Sequence, residues 1–325
     1  MAAAGETRDG VSLTNLDQAL FEGADATKRD LVDYLDAVHP MMLPALRDRP
    51  LSVVRMLRDQ PPFMQKNLPK YTPDWVRSMS LWAETSHREV NYALCDDRRT
   101  LLWFANQRAI EYHPTLVLAA DFGHPTHLVL DLDPPDVHEH AAEAFAAAAR
   151  AALLVRQVLT EAGLDGAVKT SGAKGVHVFV PLDGKAGTED VAAATRAVAA
   201  RAERLDPALA TTAFIRADRG DRVFLDSTRA GGGTVVSVYS PRLRPGAPVS
   251  YPVGWADLTS ATPADFTIRT VPGLLGGVDR WAEAMPAAQV LPADLIAEGH
   301  TIPIARVQAM HEGKRRARAR REQAD

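Results

Sequence analysis

The sequence predicts an α+β fold with a mixed or antiparallel sheet, and two observations carry that reading. Apolar runs of strand length alternate with alanine-rich helical stretches, and segments 168–181 and 222–239 have the strand, turn, strand layout of hairpins.

Taken in order, residues 1–12 are expected to be a disordered N-terminus. Thr27-Lys28-Arg29-Asp30 then has the capping spacing of a helix start, and Leu31, Leu35, Val38 and Met42 follow at helical intervals. A helix is expected over 27–47, bent or ended near Pro40. Leu51 to Arg58 reads as a strand and Gln60 to Val76 as a proline-punctuated loop mixing basic and aromatic residues. Residues 28–77 carry nine Lys or Arg against six Asp or Glu, so 13–80 is read as a mildly basic N-terminal subdomain. In the following α+β core, 81–300, short strands are expected at Leu101–Ala105, Ile110–Tyr112 and His127–Asp133. The run from Glu139 to Ala162 is a helix with no breaker before Gly163. Val168–Pro181 reads as strand, turn, strand, Thr188–Leu205 as a helix, and Arg222–Asp226 with Thr234–Tyr239 as a hairpin around Ala230-Gly231-Gly232-Gly233. A short helix follows Pro292, and 301–325 is a basic tail, frayed beyond Gly313 unless a polyanion holds it.

Bulk properties narrow the function classes. The 325 residues are 46% hydrophobic and 24% charged with a mean hydropathy of -0.15, close to globular averages, which excludes general disorder. No apolar run approaches the roughly 20 residues of a membrane span, and Met1–Gly10 lacks a secretory core, so a cytoplasmic, nucleoid-associated protein with no membrane partner is expected. The single cysteine, Cys95, excludes an internal disulfide framework and a cysteine-built zinc site. Net charge is -4, yet Lys314–Arg321 (KRRARARR) alone carries six positive charges, leaving the remainder about ten negative. Binding a polyanion would therefore need local basic patches and a metal site rather than an overall field.

Three segments could carry chemistry. Leu128–Pro134 (LVLDLDP) places Asp131 and Asp133 two apart on a strand, so both face the same way with Cβ atoms about 7 Å apart. Two such acids invite a hard cation, Mg²⁺ or Mn²⁺, although a strand end before an Asp-Pro-Pro turn has the same sequence. Thr170–Pro181 (TSGAKGVHVFVP) gathers Ser171, Lys174 and His177 around a glycine-bearing turn. That donor set suits a triphosphate, without Walker A spacing; a plain hairpin turn is the alternative. Arg222–Asp226 (RVFLD) ends in a third acid, Asp226, which either completes a carboxylate triad or is a surface aspartate at a turn. Arg219, Arg242 and Arg244 flank this region as phosphate clamps or solvated charges. Three acids holding two cations would suit in-line displacement.

The ordered set LDLDP, TSGAKGVHVFVP, FLD, YSPRLRPGAPVS and WADL resembles the polymerase domains of bacterial ligase D, members of the archaeo-eukaryotic primase superfamily. LTNLDQALF, TKRDLVDYL, PPFMQKNLPKYTPDWV and IEYHP resemble that family's N-terminal segments in matching order, so the resemblance spans roughly Leu13 to Leu258. It implies an archaeo-eukaryotic primase-like catalytic core with an RRM-like sheet and a small DNA-binding N-terminal subdomain. It further implies that Asp131, Asp133 and Asp226 are the ligands of a two-metal Mn²⁺ or Mg²⁺ site, and that Ser171, Lys174 and His177, aided by Arg242, contact the phosphates of an NTP or dNTP. His113 in IEYHP matches a histidine near the nucleotide, and Arg219 a basic residue beside the active site.

For DNA, Lys28 matches one of two lysines that grip a 5′ phosphate in end-joining members, while Gln18 stands in place of the other. Phe63 is retained as a stacking platform, and Met64 stands where a second Phe is common; Phe63 and Trp75 read equally well as core or loop anchors. End recognition is then weakened or redistributed to Lys66, Lys70 or the basic tail.

The expected activity is template-guided nucleotidyl transfer at a primer 3′ end in gapped or broken DNA, as a stand-alone polymerase working with a Ku-like end-binding protein and a separate ligase. A metal-dependent phosphoesterase or nuclease, and a non-catalytic DNA-end-binding module, are the rival readings.

Overall fold

The computed structural model describes residues 6–57, 60–83, 87–135, 141–231 and 233–304; the expected basic tail lies outside the described residues beyond Ile304. Residues 6–13, within or beside the stretch expected to be disordered, form a hairpin of β1 (Glu6–Arg8) and β2 (Val11–Leu13). Arg8 holds it down through ion pairs to Glu6, Asp33 and Asp36.

Helix α1 (Lys28–Leu46) starts at the expected capping box, with the Thr27 side chain accepting from the Asp30 backbone N–H and the Asp30 carboxylate accepting from that of Thr27. It does not end at Pro40: it runs through both Pro40 and Pro44. Pro40 removes the N–H that would reach the Asp36 carbonyl, and the His39 ring nitrogen Nδ1 takes that carbonyl at 2.6 Å instead. The buried stripe Leu31, Leu35, Val38, Met42 and Leu46 supplies the remaining reason to stay helical.

A five-stranded sheet follows, with β3 (Pro50–Arg55), β4 (Phe63–Gln65), β5 (Ser78–Ala83) and β6 (Arg88–Leu94) in the order β4-β3-β6-β5. Leu101–Ala105 is not a strand but lies inside α2 (Arg98–Asn106), whose N-cap Asp97 accepts from Thr100 N at 2.7 Å. A five-residue apolar run has no readable period, so the cap decided the matter. Strand β7 (Ala109–Pro114) returns to pair with β3. This sheet therefore draws strands from both sides of residue 80, and that position marks no break in it.

The second sheet has six strands. β8 (His127–Asp133) is central, α3 (Ala141–Glu161) leads to the hairpin of β9 (Ala167–Thr170) and β10 (Val176–Pro181), and α4 (Thr188–Leu205) leads to β11 (Ala210–Thr211) and β12 (Val223–Asp226). With β13 (Pro252–Val253) the order is β11-β12-β8-β10-β9-β13. One face presents Leu128, Leu130, Leu132, Val176, Val178 and Val180 to the buried sides of α3 and α4. Each such residue contributes about 1.5–3 kcal/mol on burial. The other face looks toward the first sheet.

Thr234–Tyr239 does not form the expected hairpin with β12. It runs beside β7, with Ser237 N on Tyr112 O at 2.8 Å and Thr234 bridged to Thr115. Val235, Val236 and Val238 are buried, so the segment gains more from filling the space between the sheets than from an exposed glycine-rich hairpin. Three short helices close the described chain: α5 (Val271–Leu275), α6 (Arg280–Ala284) and α7 (Ala293–Thr301).

Helix α7 lies against α4 so closely that a Cβ on Gly299 would overlap the Ala193 carbonyl. Gly299→Ala should therefore push α7 off α4 and cost about 1–3 kcal/mol, the usual penalty for overpacking. Thermal melting of the variant checks this; an unchanged midpoint would show that the two helices part freely.

Candidate active site

The register of the six-stranded sheet builds the site. Asp131 is the direct cross-strand partner of Asp226 on one side and of His177 on the other, and His177 in turn faces Lys169. Cross-strand partners share a face, so Asp226, Asp131, His177 and Lys169 form one lateral row across four strands. Asp133, two residues along β8, lies on the same face beside Phe224.

Each member has a defined partner. Lys169, fully buried, directs Nζ at Val236 O (3.0 Å), Ser250 Oγ (2.6 Å) and His177 Nδ1 (2.7 Å), three acceptors for the three donors of an ammonium. Burial, then Arg242, pushes that ammonium toward losing a proton, while Asp131 opposes them. Burial, and next the charge of Lys169, pushes the His177 imidazole down to about 4, so it is neutral at pH 7. With Nδ1 accepting from Lys169, His177 carries its proton on Nε2 and donates it to Asp131 Oδ1 at 3.1 Å. Both ring nitrogens are thus engaged, and His177 as placed orients Asp131 rather than reaching a phosphate.

The acids are unequal. Burial alone would raise Asp131, but His177 and then Arg229 hold it well below the usual carboxylate range. Desolvation, then the charge of Asp131, pushes Asp133 up to about 7. Asp226 Oδ1 accepts from Thr228 N (2.9 Å) and Thr228 Oγ1 (2.7 Å). The Arg229 Nη2 bridges the two central carboxylates, 2.6 Å from Asp131 Oδ2 and 2.8 Å from Asp226 Oδ2.

Ser171 and Lys174 sit on the β9–β10 turn. Ser171 Oγ accepts from Ala173 N (3.2 Å) and Gly175 N (3.1 Å), and Lys174 Nζ donates to Pro135 O at 3.3 Å. Gly172, at φ +71°, lies so close to Ser250 N that a Cβ would stand 2.8 Å away. Arg242 donates to Ser171 O and pairs with Glu111 Oε1 at 3.1 Å. The other Glu111 oxygen meets His113 Nε2 at 2.9 Å; burial alone would raise the Glu111 carboxyl, but the bond to His113, the charge of Arg242 and the Leu243 N–H bring it down to about 2. Glu111 thereby ties His113 and Arg242 to the Ser171 turn. Arg219 stacks on Phe224, with its guanidinium 3.6 Å from the ring centroid, and helps stabilise the Asp133 charge.

The family described as the LigD primase-polymerase domain matches residues 27–281. The chain belongs to this family. Its members are DNA nucleotidyltransferases, and this chain is similar to the Bacillus subtilis bifunctional non-homologous end joining protein LigD, with 34% identity over 267 residues. It is equally similar, 34% over 271 residues, to the multifunctional non-homologous end joining DNA repair protein LigD of Mycobacterium tuberculosis. Those alignments cover 80% and 79% of this chain but only 42% and 34% of the relatives, so it spans less than half of their length. In structure it resembles the polymerase domain of Mycobacterium tuberculosis ligase D in complex with DNA, with a TM-score of 0.75, 30% identity, and coverage of 85% of this chain and 99% of that one. The architecture is thus that of the archaeo-eukaryotic primase-like LigD polymerase domain.

Within this LigD-type frame, the residues expected to bind DNA lie off the six-stranded sheet that bears the carboxylate row, on α1, on β4 of the first sheet and in the loop after it. Lys28 is buried, its Nζ donating to Thr14 O (2.6 Å) and Asn106 Oδ1 (2.7 Å), and burial with Arg108 nearby pushes it down to about 8. Gln18 and Arg108, with Asn15 and Asp17, line an open hollow of about 580 Å³. Phe63 on β4 is exposed with Arg55 over its ring, as is Met64 beside it, and Lys66 and Lys70 are exposed in the loop beyond. Trp75 packs on the N-terminal core under Arg99, as a loop anchor would. Cys95 is buried in that same core.

Sequence reasoning missed Lys169, Glu111 and Arg229. A lysine inside the apolar strand AVKT, and an acid two positions before His113, were readable anomalies; the role of Arg229 depends on a turn that the sequence leaves open.

Among the described residues no three His, Cys, Asp or Glu side chains converge to hold an ion as they stand. The donor set nevertheless fits a hard cation, because two carboxylate oxygens already aim at one positive centre and Asp133 lies on the same face beside them. A neutral Asp133 acid must lose its proton to serve a metal. Mn²⁺ affinity should therefore fall about tenfold per pH unit below about 7 and level off above it, with a proton released on binding. Calorimetry between pH 6 and 8 in buffers of different ionisation enthalpy checks this, and a flat profile would contradict the raised acid.

Proposed function

We propose that this chain transfers nucleoside monophosphates from NTPs or dNTPs to the 3′ hydroxyl of a primer at short gaps or broken DNA ends, using Mn²⁺ or Mg²⁺ held by Asp131, Asp133 and Asp226. The observation that carries the proposal is the convergence of Asp131 Oδ2 and Asp226 Oδ2 on one cationic centre. When bound, two such ions would lower the pKa of the attacking hydroxyl and neutralise the leaving pyrophosphate.

The chain's own residues divide the remaining work. His177 fixes the direction of Asp131, and Thr228 that of Asp226. Lys174, the backbone of the Ser171–Gly175 turn and Arg242 form the phosphate-facing side, and the β9–β10 turn borders a hollow of about 650 Å³ that also includes Arg244 and Thr262. Such a cradle favours the polymerase reading over a nuclease, which has no triphosphate to hold. His113, on the first sheet and linked through Glu111 to Arg242, is assigned to the nucleotide; Arg219 is assigned to charge balance at Asp133.

On the DNA side, Phe63 offers a stacking surface and Lys66 and Lys70 phosphate contacts. Lys28, its ammonium committed to Thr14 and Asn106, faces a site where Gln18 brings no charge, so we assign this chain a weak dependence on a 5′ phosphate. The names of the relatives support the assignment to non-homologous end joining; a Ku-like protein and a separate DNA ligase are the partners this reading proposes. No described helix is long and apolar enough to cross a membrane.

Primer extension on a gapped duplex with Mn²⁺, comparing NTPs with dNTPs and 5′-phosphorylated with 5′-hydroxyl downstream strands, tests the proposal. Wild type should extend and Asp226→Ala should lose at least about a thousandfold in rate. Primer shortening, or no reaction with any nucleotide, would overturn it. Glu111→Gln should keep extension but raise the nucleotide KM more than it lowers kcat, because His113 and Arg242 lose their common anchor; an unchanged KM would remove Glu111 from the nucleotide site.

A further inference from the structure

The two central carboxylates are each half committed. Asp131 Oδ1 is held by His177 and Asp226 Oδ1 by Thr228, while both Oδ2 atoms turn to one point, and the Arg229 Nη2 occupies that point. The Nε of the same guanidinium is buried without a hydrogen-bond partner among the described residues. Arg229 is thus a resident cation where two oxygens suited to a metal converge, and its hold on that point comes from those two carboxylates.

We propose that Arg229 is a displaceable counter-cation that makes metal loading conditional on nucleotide. The inference rests on the metal reading above. Without metal, Arg229 offsets the repulsion between Asp131 and Asp226. An ion entering at the same point must expel it. The expelled guanidinium loses two carboxylates while still largely enclosed, a costly state unless a new anion meets it. An incoming triphosphate is such an anion and arrives at the same cleft. Metal and nucleotide therefore favour each other through Arg229, and by linkage the coupling is reciprocal. The residue touches the metal-binding oxygens in one state and the phosphates in the other.

Mn²⁺ binding without nucleotide, followed by electron paramagnetic resonance of the free ion, tests the first half. Arg229→Gln should bind Mn²⁺ at least about fivefold more tightly than wild type, because the competing charge is gone and the carboxylate repulsion is uncompensated. Arg229→Lys, which keeps the charge on a compact head unable to fork, should fall between them and serves if the Gln variant does not fold. Binding of the Mn²⁺ complex of an α,β-methylene NTP, titrated at saturating Mn²⁺, tests the second half, and Arg229→Gln should weaken it by a similar factor. Equal or weaker Mn²⁺ affinity in the folded variants overturns the proposal, as does an unchanged nucleotide affinity. Failure of the wild type itself to bind Mn²⁺ would instead defeat the underlying metal reading.

Discussion

The register of β8 between β10 and β12 is the constraint on which the rest depends. It sets Asp131 opposite Asp226 and His177 at once, and so fixes which charges meet in the cleft. A slip of one residue would turn Asp131 and Asp133 into the apolar layer beneath α3 and α4 and expose Leu130 and Leu132 on the other side. The penalty for burying two carboxylates there is large enough that the hydrophobic pattern and the placement of the acids enforce the same pairing.

Clustering acids on a partly enclosed sheet face creates a standing electrostatic problem, and the protein answers it differently at each one. Asp131 gains a neutral imidazole donor backed by a buried lysine, Asp226 gains a neighbouring threonine and shares an arginine, and Asp133 gains least, so its carboxyl is pushed up. That gradient separates the roles of chemically identical side chains. It also accounts for Lys169, whose burial would be hard to rationalise by packing alone but follows from its three acceptors and from the orientation it imposes on His177.

Much of this was legible in the chain. The capping box of α1, the limits of β8 and α4 and the β9–β10 hairpin all follow from local pattern, because each is written in neighbouring residues, whereas the grouping of the three aspartates was implied only by the family resemblance. The failures share a cause. The strand expected at Leu101–Ala105 is a helix because a short apolar run has no period of its own, and the hairpin expected at 234–239 is undone by burial against β7, a partner over a hundred residues away. Pro40 stays within α1 because His39 replaces the missing donor, a compensation visible only in three dimensions. In the site, the carboxylates could be named from sequence, but the partners that tune them, Lys169, Glu111 and Arg229, required the fold.

The segment from Thr234 to Val253 touches both sheets in turn. It runs along β7, caps Lys169 through Val236 O and Ser250 Oγ, and ends as β13 on the edge of the second sheet. A strap bonded to both walls resists their separation, so the cleft behaves as a mould of fixed width rather than as a pair of jaws. Adaptation to ligands of different shape must then come from side chains and loops at the rim, and insertions would be borne at the rim far better than within the strap.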